Sequence, residues 1–412
     1  MKVLMLGWEL PPFFAGGVGI VCNELTKSLS DEGVDVTFVM PSGPKGVSVP
    51  HIKRLLVANN LFSDSRVKIR KVDTLLSAYQ SSEDYEEEYQ KHLAEVGDSG
   101  GRPLYGKNML EEVYRFAAKV AVIAQEEDFD VIHAHDWTTF LAGVAARSVT
   151  GKPLIVHMHI TEFDKTGGMH ANPDVYAIEQ KGMKEADLVI AVSDFVKRRC
   201  VNQYHIDPAK IRVVHNAATT MNESISYDGG RLKERDKIVL FAGRVTLQKG
   251  PDYFVEAAKI ALDRDPNITF IIAGKGDMLP SIIQKAAALG ISHKFIFPGF
   301  YTRDEAEKLF SMADVFVMPS VSEPFGVVPF EAQVKRTPTI ISKQSGISEV
   351  LNHCLKVDFW DVEELAQQIL ALVHYPSLNV TLAENGYREA KGSTWQKPAM
   401  MCASIYKEIT GV

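Results

Sequence analysis

Residues 315–332 read VFVMPSVSEPFGVVPFEA. The stretch opens on a short apolar run rich in valine, the pattern of a buried strand. Pro319, Pro324 and Gly326 break that run. Pro329 then stands where the first turn of a helix tolerates a residue without an N–H. Strand, loop and helix start in that order predict one βα unit of a parallel sheet, and the unpaired N–H groups at such a helix start can face an anion. Glu323 lies in the loop and Glu331 about one turn inside the helix, with seven residues between them. Carboxylates so spaced can hold the two ends of an extended ligand with a phosphate between them.

The same design recurs upstream in FAGRVTLQKGP, residues 241–251. A strand runs into a turn that carries Arg244, with planar paired donors, and Lys249, a point charge. Two cations at one strand end suit a diphosphate; opposite charges ~4 Å apart in a partly screened site gain about 4 kcal/mol. Around these segments IVLFAG (238–243), ITFIIAG (268–274), FIF (295–297) and PTIIS (338–342) read as further strands. The first half has the same rhythm, with strands at 2–7, 34–40, 131–133, 154–158, 188–192 and 211–214 and helical stretches between, including 105–125. Alternating strands and helices predict an α/β protein of two doubly wound, Rossmann-like domains, with ligands bound at the carboxyl ends of the strands in the cleft between them. The polar segment 217–236 reads as the linker. The expected domains are 1–217, 218–394 and a C-terminal helix, 395–412, packing back on the first. The acidic segment 73–104 reads as a solvated excursion.

The chain of 412 residues is long enough for two domains. Its net charge of −7 makes it a poor general binder of nucleic acid or anionic membrane. The start MKVLMLGWELPP reads as a first strand rather than a signal peptide. Four scattered cysteines, Cys22, Cys200, Cys354 and Cys402, fit a reduced, cytoplasmic protein without structural zinc.

The pairs Glu323-x7-Glu331 and Arg244-x4-Lys249, in that setting, resemble the signatures of the retaining glycosyltransferases of the two-Rossmann (GT-B) type, the group that includes the glycogen and starch synthases and family-4-like enzymes. WELPPFFAGGVG (8–19) looks like the family's N-terminal glycine loop, HAHDW (133–137) like the synthases' His-Asp-Trp segment and VHMHITE (156–162) like its catalytic-histidine segment. VSDF (192–195), VHNA (214–217) and SGISEV (345–350) also match. The resemblance implies a nucleotide-sugar donor, a carbohydrate acceptor, no resident cofactor and no metal. It gives Arg244 and Lys249 the donor diphosphate, Glu331 the ribose and Glu323 the donor sugar. Gly17, Gly326 and the backbone at Val327 and Val328 would approach phosphate or sugar, and His159 and Asp136 the transferred sugar. Ala15 stands where the synthases carry lysine and Ile160 where bacterial synthases carry asparagine, whereas Asp136-Trp137 points back to glucan synthesis. The expected activity is transfer of glucose to an α-glucan, with cell-surface polysaccharide or glycolipid synthesis as the alternative.

Other readings stay open in the residues themselves. His133/His135 and His157/His159 are i, i+2 pairs, which on a strand share a face and could chelate a metal, as in a metal-dependent hydrolase. Gly17-x-Gly19 is a partial dinucleotide fingerprint without its third glycine, because Cys22 stands there. Asp128-Phe-Asp130 precedes a strand and reads as an exposed turn. Lys197-Arg198-Arg199 reads as a solvated face or as a patch for an anionic acceptor or a membrane surface, the one route to peripheral membrane contact in a chain with no transmembrane segment.

Overall fold

The computed structural model describes residues 1–11, 17–43, 48–58, 109–168, 171–219, 227, 230 and 235–411. Ala15, segment 73–104 and most of the 217–236 linker lie outside the described residues. Strands Lys2–Leu6 (β1), Asp35–Met40 (β2), Arg54–Val57 (β3), Val131–His135 (β4), Leu154–Met158 (β5), Leu188–Ala191 (β6) and Ile211–Val213 (β7) form one parallel sheet in the order β3-β2-β1-β4-β5-β6-β7. Lys237–Ala242 (β8), Ile268–Ala273 (β9), Phe295–Gly299 (β10), Val315–Met318 (β11), Thr339–Ser342 (β12) and Leu355–Val357 (β13) form a second, in the order β10-β9-β8-β11-β12-β13. Helices flank both. The central strands are covered on both faces: Val3 to Leu6 and Ile268 to Ala273 are buried at every position.

Each sheet changes direction once. In the first, β1 lies between β2 and β4; in the second, β8 lies between β9 and β11. At such a switch the helices leave toward opposite faces and a crevice opens at the carboxyl ends of the strands. The chain segments that leave those ends are the ones singled out by sequence. Asp136 follows β4, Gly243–Lys249 follows β8, and Pro319–Gly326 follows β11; His159 follows β5, the neighbour of β4.

Helix Gln396–Thr410 follows the second sheet in sequence but packs on the first. Its Ala399, Cys402, Ile405 and Tyr406 are buried in one cluster with Cys22 and Leu25 of helix Gly17–Asp31. The Tyr406 hydroxyl meets His133 Nδ1 at 2.6 Å. All four cysteines are free and buried.

Candidate active site

The segment after β8 turns tightly. A 3-10 turn, Leu247–Lys249, ends on Gly250 at φ 64°, and a Cβ there would lie 2.2 Å from the Pro319 carbonyl oxygen. Glycine therefore lets the 244–250 turn close against the loop after β11. Val321 N donates to Gln248 O at 2.9 Å. The result joins the two predicted motifs: Lys249 Nζ forms an ion pair with Glu323 Oε2, both largely shielded. Ser320 Oγ also donates to that carboxylate oxygen, at 3.3 Å. Arg244 is exposed, its Nη2 donating to Gln248 Oε1 at 3.1 Å.

Glu323 is fixed through its backbone as well. Its N–H donates to Gln344 O at 3.0 Å and its carbonyl accepts from Gly346 N at 2.9 Å. Gly326 has φ 90°, and a Cβ on it would sit 2.8 Å from Glu323 Cγ, so side chain and turn need each other's shape. Val327 caps helix Val328–Val334, with Pro329 in its first turn and Glu331 one turn inside. Thr219 Oγ1 donates to Glu331 Oε1 at 3.2 Å. Burial pushes the Glu331 carboxyl above its usual range.

On the first domain, Asp136 holds φ 57° and ψ 170°, backbone space that non-glycine residues seldom occupy, at a cost on the order of 1–3 kcal/mol. The strained turn aims its carboxylate at the next strand: Oδ1 accepts from His159 N at 2.7 Å and from Ile160 N at 3.4 Å. Asp136 thereby fixes the backbone of the histidine segment, a role its sequence position did not reveal. Period-two alternation puts His133, His135, His157 and His159 on one face of β4 and β5, and their rings stack, 133 on 135 at 4.3 Å and 157 on 159 at 4.2 Å. All four are buried. Desolvation drives each imidazole below its normal range, His159 to about 3. Ring nitrogens of His133, His135 and His157 come within 4.8 Å of one another, so the two His-x-His pairs do converge. His133 has both nitrogens engaged, by Tyr406 and, at 3.2 Å, by His157.

Polar contacts tie the two halves together around the Glu323 loop. Buried Asp164 accepts from Thr161 N at 2.9 Å in a capping box and from Ser322 Oγ at 2.7 Å. Arg199 Nε pairs with the same carboxylate at 3.0 Å, and its Nη2 reaches Ser322 Oγ at 3.0 Å. Ser193 Oγ donates to Pro324 O at 2.6 Å. Glu349 accepts from Asp194 N and Phe195 N, at 2.9 and 2.7 Å, and meets His215 Nε2 at 2.8 Å. These bonds hold its carboxyl below the ordinary range against the opposing effect of burial. The turn after His159 thus abuts the loop of Glu323. Arg199, read from sequence as part of a solvated basic face, instead pairs with Asp164 inside the first domain and hydrogen-bonds across to Ser322 of the second. Lys197 Nζ donates to Ile211 O at 3.2 Å. Asp128 lies on the surface, paired with Lys2. Trp8 and Trp137 are core, while Phe300 is 71% exposed. Gly17 opens its helix with nothing within 4 Å of the Cβ it lacks.

Residues 15–220 match the family model described as Glycosyltransferase Family 4, and residues 227–389 the model described as Glycosyl transferases group 1. An uncharacterized glycosyltransferase of Methanocaldococcus jannaschii is 28% identical over 364 residues, covering 86% of this chain and 83% of that one. A D-inositol 3-phosphate glycosyltransferase of Salinispora arenicola is 27% identical over 308 residues, 68% of this chain and 69% of that one. A glycogen synthase of Mycobacterium tuberculosis is 24% identical over 424 residues, 98% of this chain and 94% of that one. The solved structure of Anabaena HepE in complex with UDP and glucose superposes with a TM-score of 0.70 at 18% identity, over 99% of this chain and all of that one. With two parallel sheets, each reversing its strand order once, the second of them where the paired motifs emerge, and family matches across both, the chain belongs to the GT-B glycosyltransferases of the glycogen synthase-like group.

Proposed function

We propose that the protein is a retaining glycosyltransferase that moves glucose from a nucleotide-sugar to an α-glucan. The observation that carries this reading is the convergence of Arg244, Lys249 and Glu323 at one switch point, against the first-domain turn that follows His159. The M. tuberculosis glycogen synthase, similar over almost the whole chain, supports the glucan acceptor.

In this reading the donor diphosphate meets Arg244 and Lys249, cations set in advance where negative charge grows as the glycosidic bond breaks. The backbone N–H groups of Val327 and Val328, at a helix start, face the same charge. Glu331 takes the ribose hydroxyls, and Glu323 the hydroxyls of the sugar once Lys249 turns to the diphosphate. Gly17 leaves room for close backbone approach to phosphate. Asp136 and His159 stand at the transferred sugar. The acceptor hydroxyl bonds to the anomeric carbon on the face the diphosphate leaves. The carbon–oxygen bond to the diphosphate breaks with its electron pair, and the acceptor proton passes to the departing phosphate oxygen. The anomeric configuration is kept.

A donor panel of ADP-, UDP- and GDP-sugars, with and without glycogen or maltooligosaccharide, tests the reading. Glucan-dependent nucleotide release supports it; release with glycerolipid or inositol phosphate instead moves the acceptor to another class. Glu331→Ala removes hydrogen bonds to a charged acceptor group, worth about 1.5–3 kcal/mol. Nucleotide affinity by calorimetry should fall roughly 10- to 150-fold; unchanged affinity takes the ribose away from Glu331. Because fixed cations neutralise the diphosphate, turnover should survive dialysis against EDTA. Loss on dialysis with rescue by Mg²⁺ or Mn²⁺ overturns the metal-independent mechanism.

A further inference from the structure

The hydrogen bond between His135 and His159 constrains the chemistry of His159. β4 and β5 pair with His135 opposite His157, so His159 falls diagonally across from His135. His135 Nδ1 and His159 Nε2 are 2.8 Å apart. Burial keeps both rings neutral, and each neutral imidazole carries one proton. The pair therefore has two protons for four nitrogens, and their shared bond uses one of them.

Two arrangements satisfy that count. If His135 Nδ1 donates, His135 Nε2 is a lone pair and the proton of His159 sits on Nδ1. If His159 Nε2 donates, His159 Nδ1 is a lone pair and the proton of His135 sits on Nε2. Both outer nitrogens are buried without a hydrogen-bond partner among the described residues. Each arrangement thus leaves one buried N–H unpaired, which is costly. Their surroundings differ. His135 is the last residue of β4 and is flanked by the rings of His133, His157 and His159. Among the described residues, an N–H on its Nε2 sits among imidazole rings. His159 lies beyond the end of β5, in the segment that runs to Asp164 and the Glu323 loop. An N–H on its Nδ1 can be answered by a bound hydroxyl.

We propose that His135 is a positioning residue: by donating through Nδ1 it fixes His159 as the Nδ1–H tautomer and so makes His159 a hydrogen-bond donor to a hydroxyl of the transferred sugar. This rests on the glycosyltransferase reading of the site. Asp136 holds the backbone of His159 and His135 holds its ring, so adjacent residues divide the work of orienting one imidazole.

The test compares His135→Ala with His135→Asn, whose amide nitrogen stands where Nδ1 stood and still donates. Long-range ¹⁵N–¹H spectra of the ligand-free full chain read the tautomer of His159 directly. The expected result is Nδ1–H in the wild type and in His135→Asn, and a shift toward Nε2–H in His135→Ala. Turnover should fall about 10-fold or more in His135→Ala with nucleotide affinity unchanged, and return most of the way in His135→Asn. Nε2–H in the wild type overturns the proposal. So does an equal loss in both variants with the tautomer unmoved, which marks a purely structural residue. One equivalent of tightly bound metal in the purified protein, lost in His135→Ala, also overturns it, since the metal would hold the ring nitrogen instead. The spectra need no substrate, so a wild type that transfers no sugar defeats the functional reading and leaves the tautomer result standing.

Discussion

Arg244→Ala and Lys249→Ala should each lower turnover by on the order of 100-fold, because each removes a fixed cation from the place where diphosphate charge develops. The two will not behave alike in the folded protein. Arg244 is exposed and contacts Gln248 on its own turn, so its loss should leave the melting temperature near that of the wild type. Lys249 neutralises a Glu323 carboxylate that is itself buried. Removing the ammonium leaves that charge without its partner, which is destabilising. Lys249→Ala should therefore lose both turnover and melting temperature, and the comparison with Arg244→Ala separates the catalytic effect from the structural one. Steady-state kinetics and thermal melts on both variants and on the double variant decide the matter. Near-normal turnover in a folded double variant removes the diphosphate from this turn.

His159→Ala should cut turnover steeply, by on the order of 100-fold, while sparing nucleotide affinity, since the side chains assigned to the nucleotide, Arg244, Lys249 and Glu331, belong to the second domain. With its pKa held down to about 3 by burial, the imidazole is neutral above that pH. It serves as a hydrogen-bonding group rather than as a charged acid, and no limb of the pH–rate profile between about pH 5 and 8 should belong to it. His157→Ala makes the contrast. His157 is buried, stacked on His159 and bonded to His133, so truncation opens a cavity and should cost about 2–4 kcal/mol of stability. Turnover of the surviving folded fraction should change little. If His157→Ala carries the turnover loss and His159→Ala does not, the register of this segment toward the sugar is wrong.

Most of the fold could be read from valine- and isoleucine-rich runs separated by helical spacing, because central parallel strands are apolar on both faces. β3 and β13 escaped notice. Each is a short edge strand with one buried residue, Leu56 in RLLV and Val357 in LKV, too little pattern to separate from loop. Arg244, Lys249 and Glu323 drew attention in the sequence as charged residues in turns after apolar strands, and Glu331 as a carboxylate one turn into the helix that follows. The Lys249–Glu323 pair was not, because it needs two βα turns to meet. Asp164, Arg199 and Glu349 were invisible as interdomain contacts for the same reason: each partner lies more than a hundred residues away or is set by how the domains dock. The shared face of the four histidines followed from period two, whereas the bond from His135 to His159 depends on the register of β4 against β5.

The return of helix Gln396–Thr410 to the first domain bears on how the chain is made. Synthesis from the N-terminus delivers residues 1–217 long before residues 395–410 leave the ribosome. Until then the face of helix Gly17–Asp31 that holds Cys22 and Leu25 lacks the cover of Ala399, Cys402 and Ile405, and the buried His133 lacks the Tyr406 hydroxyl. The first domain therefore completes its buried cluster only after the second has been translated. The last cover of its apolar face is supplied by the far end of the same polypeptide.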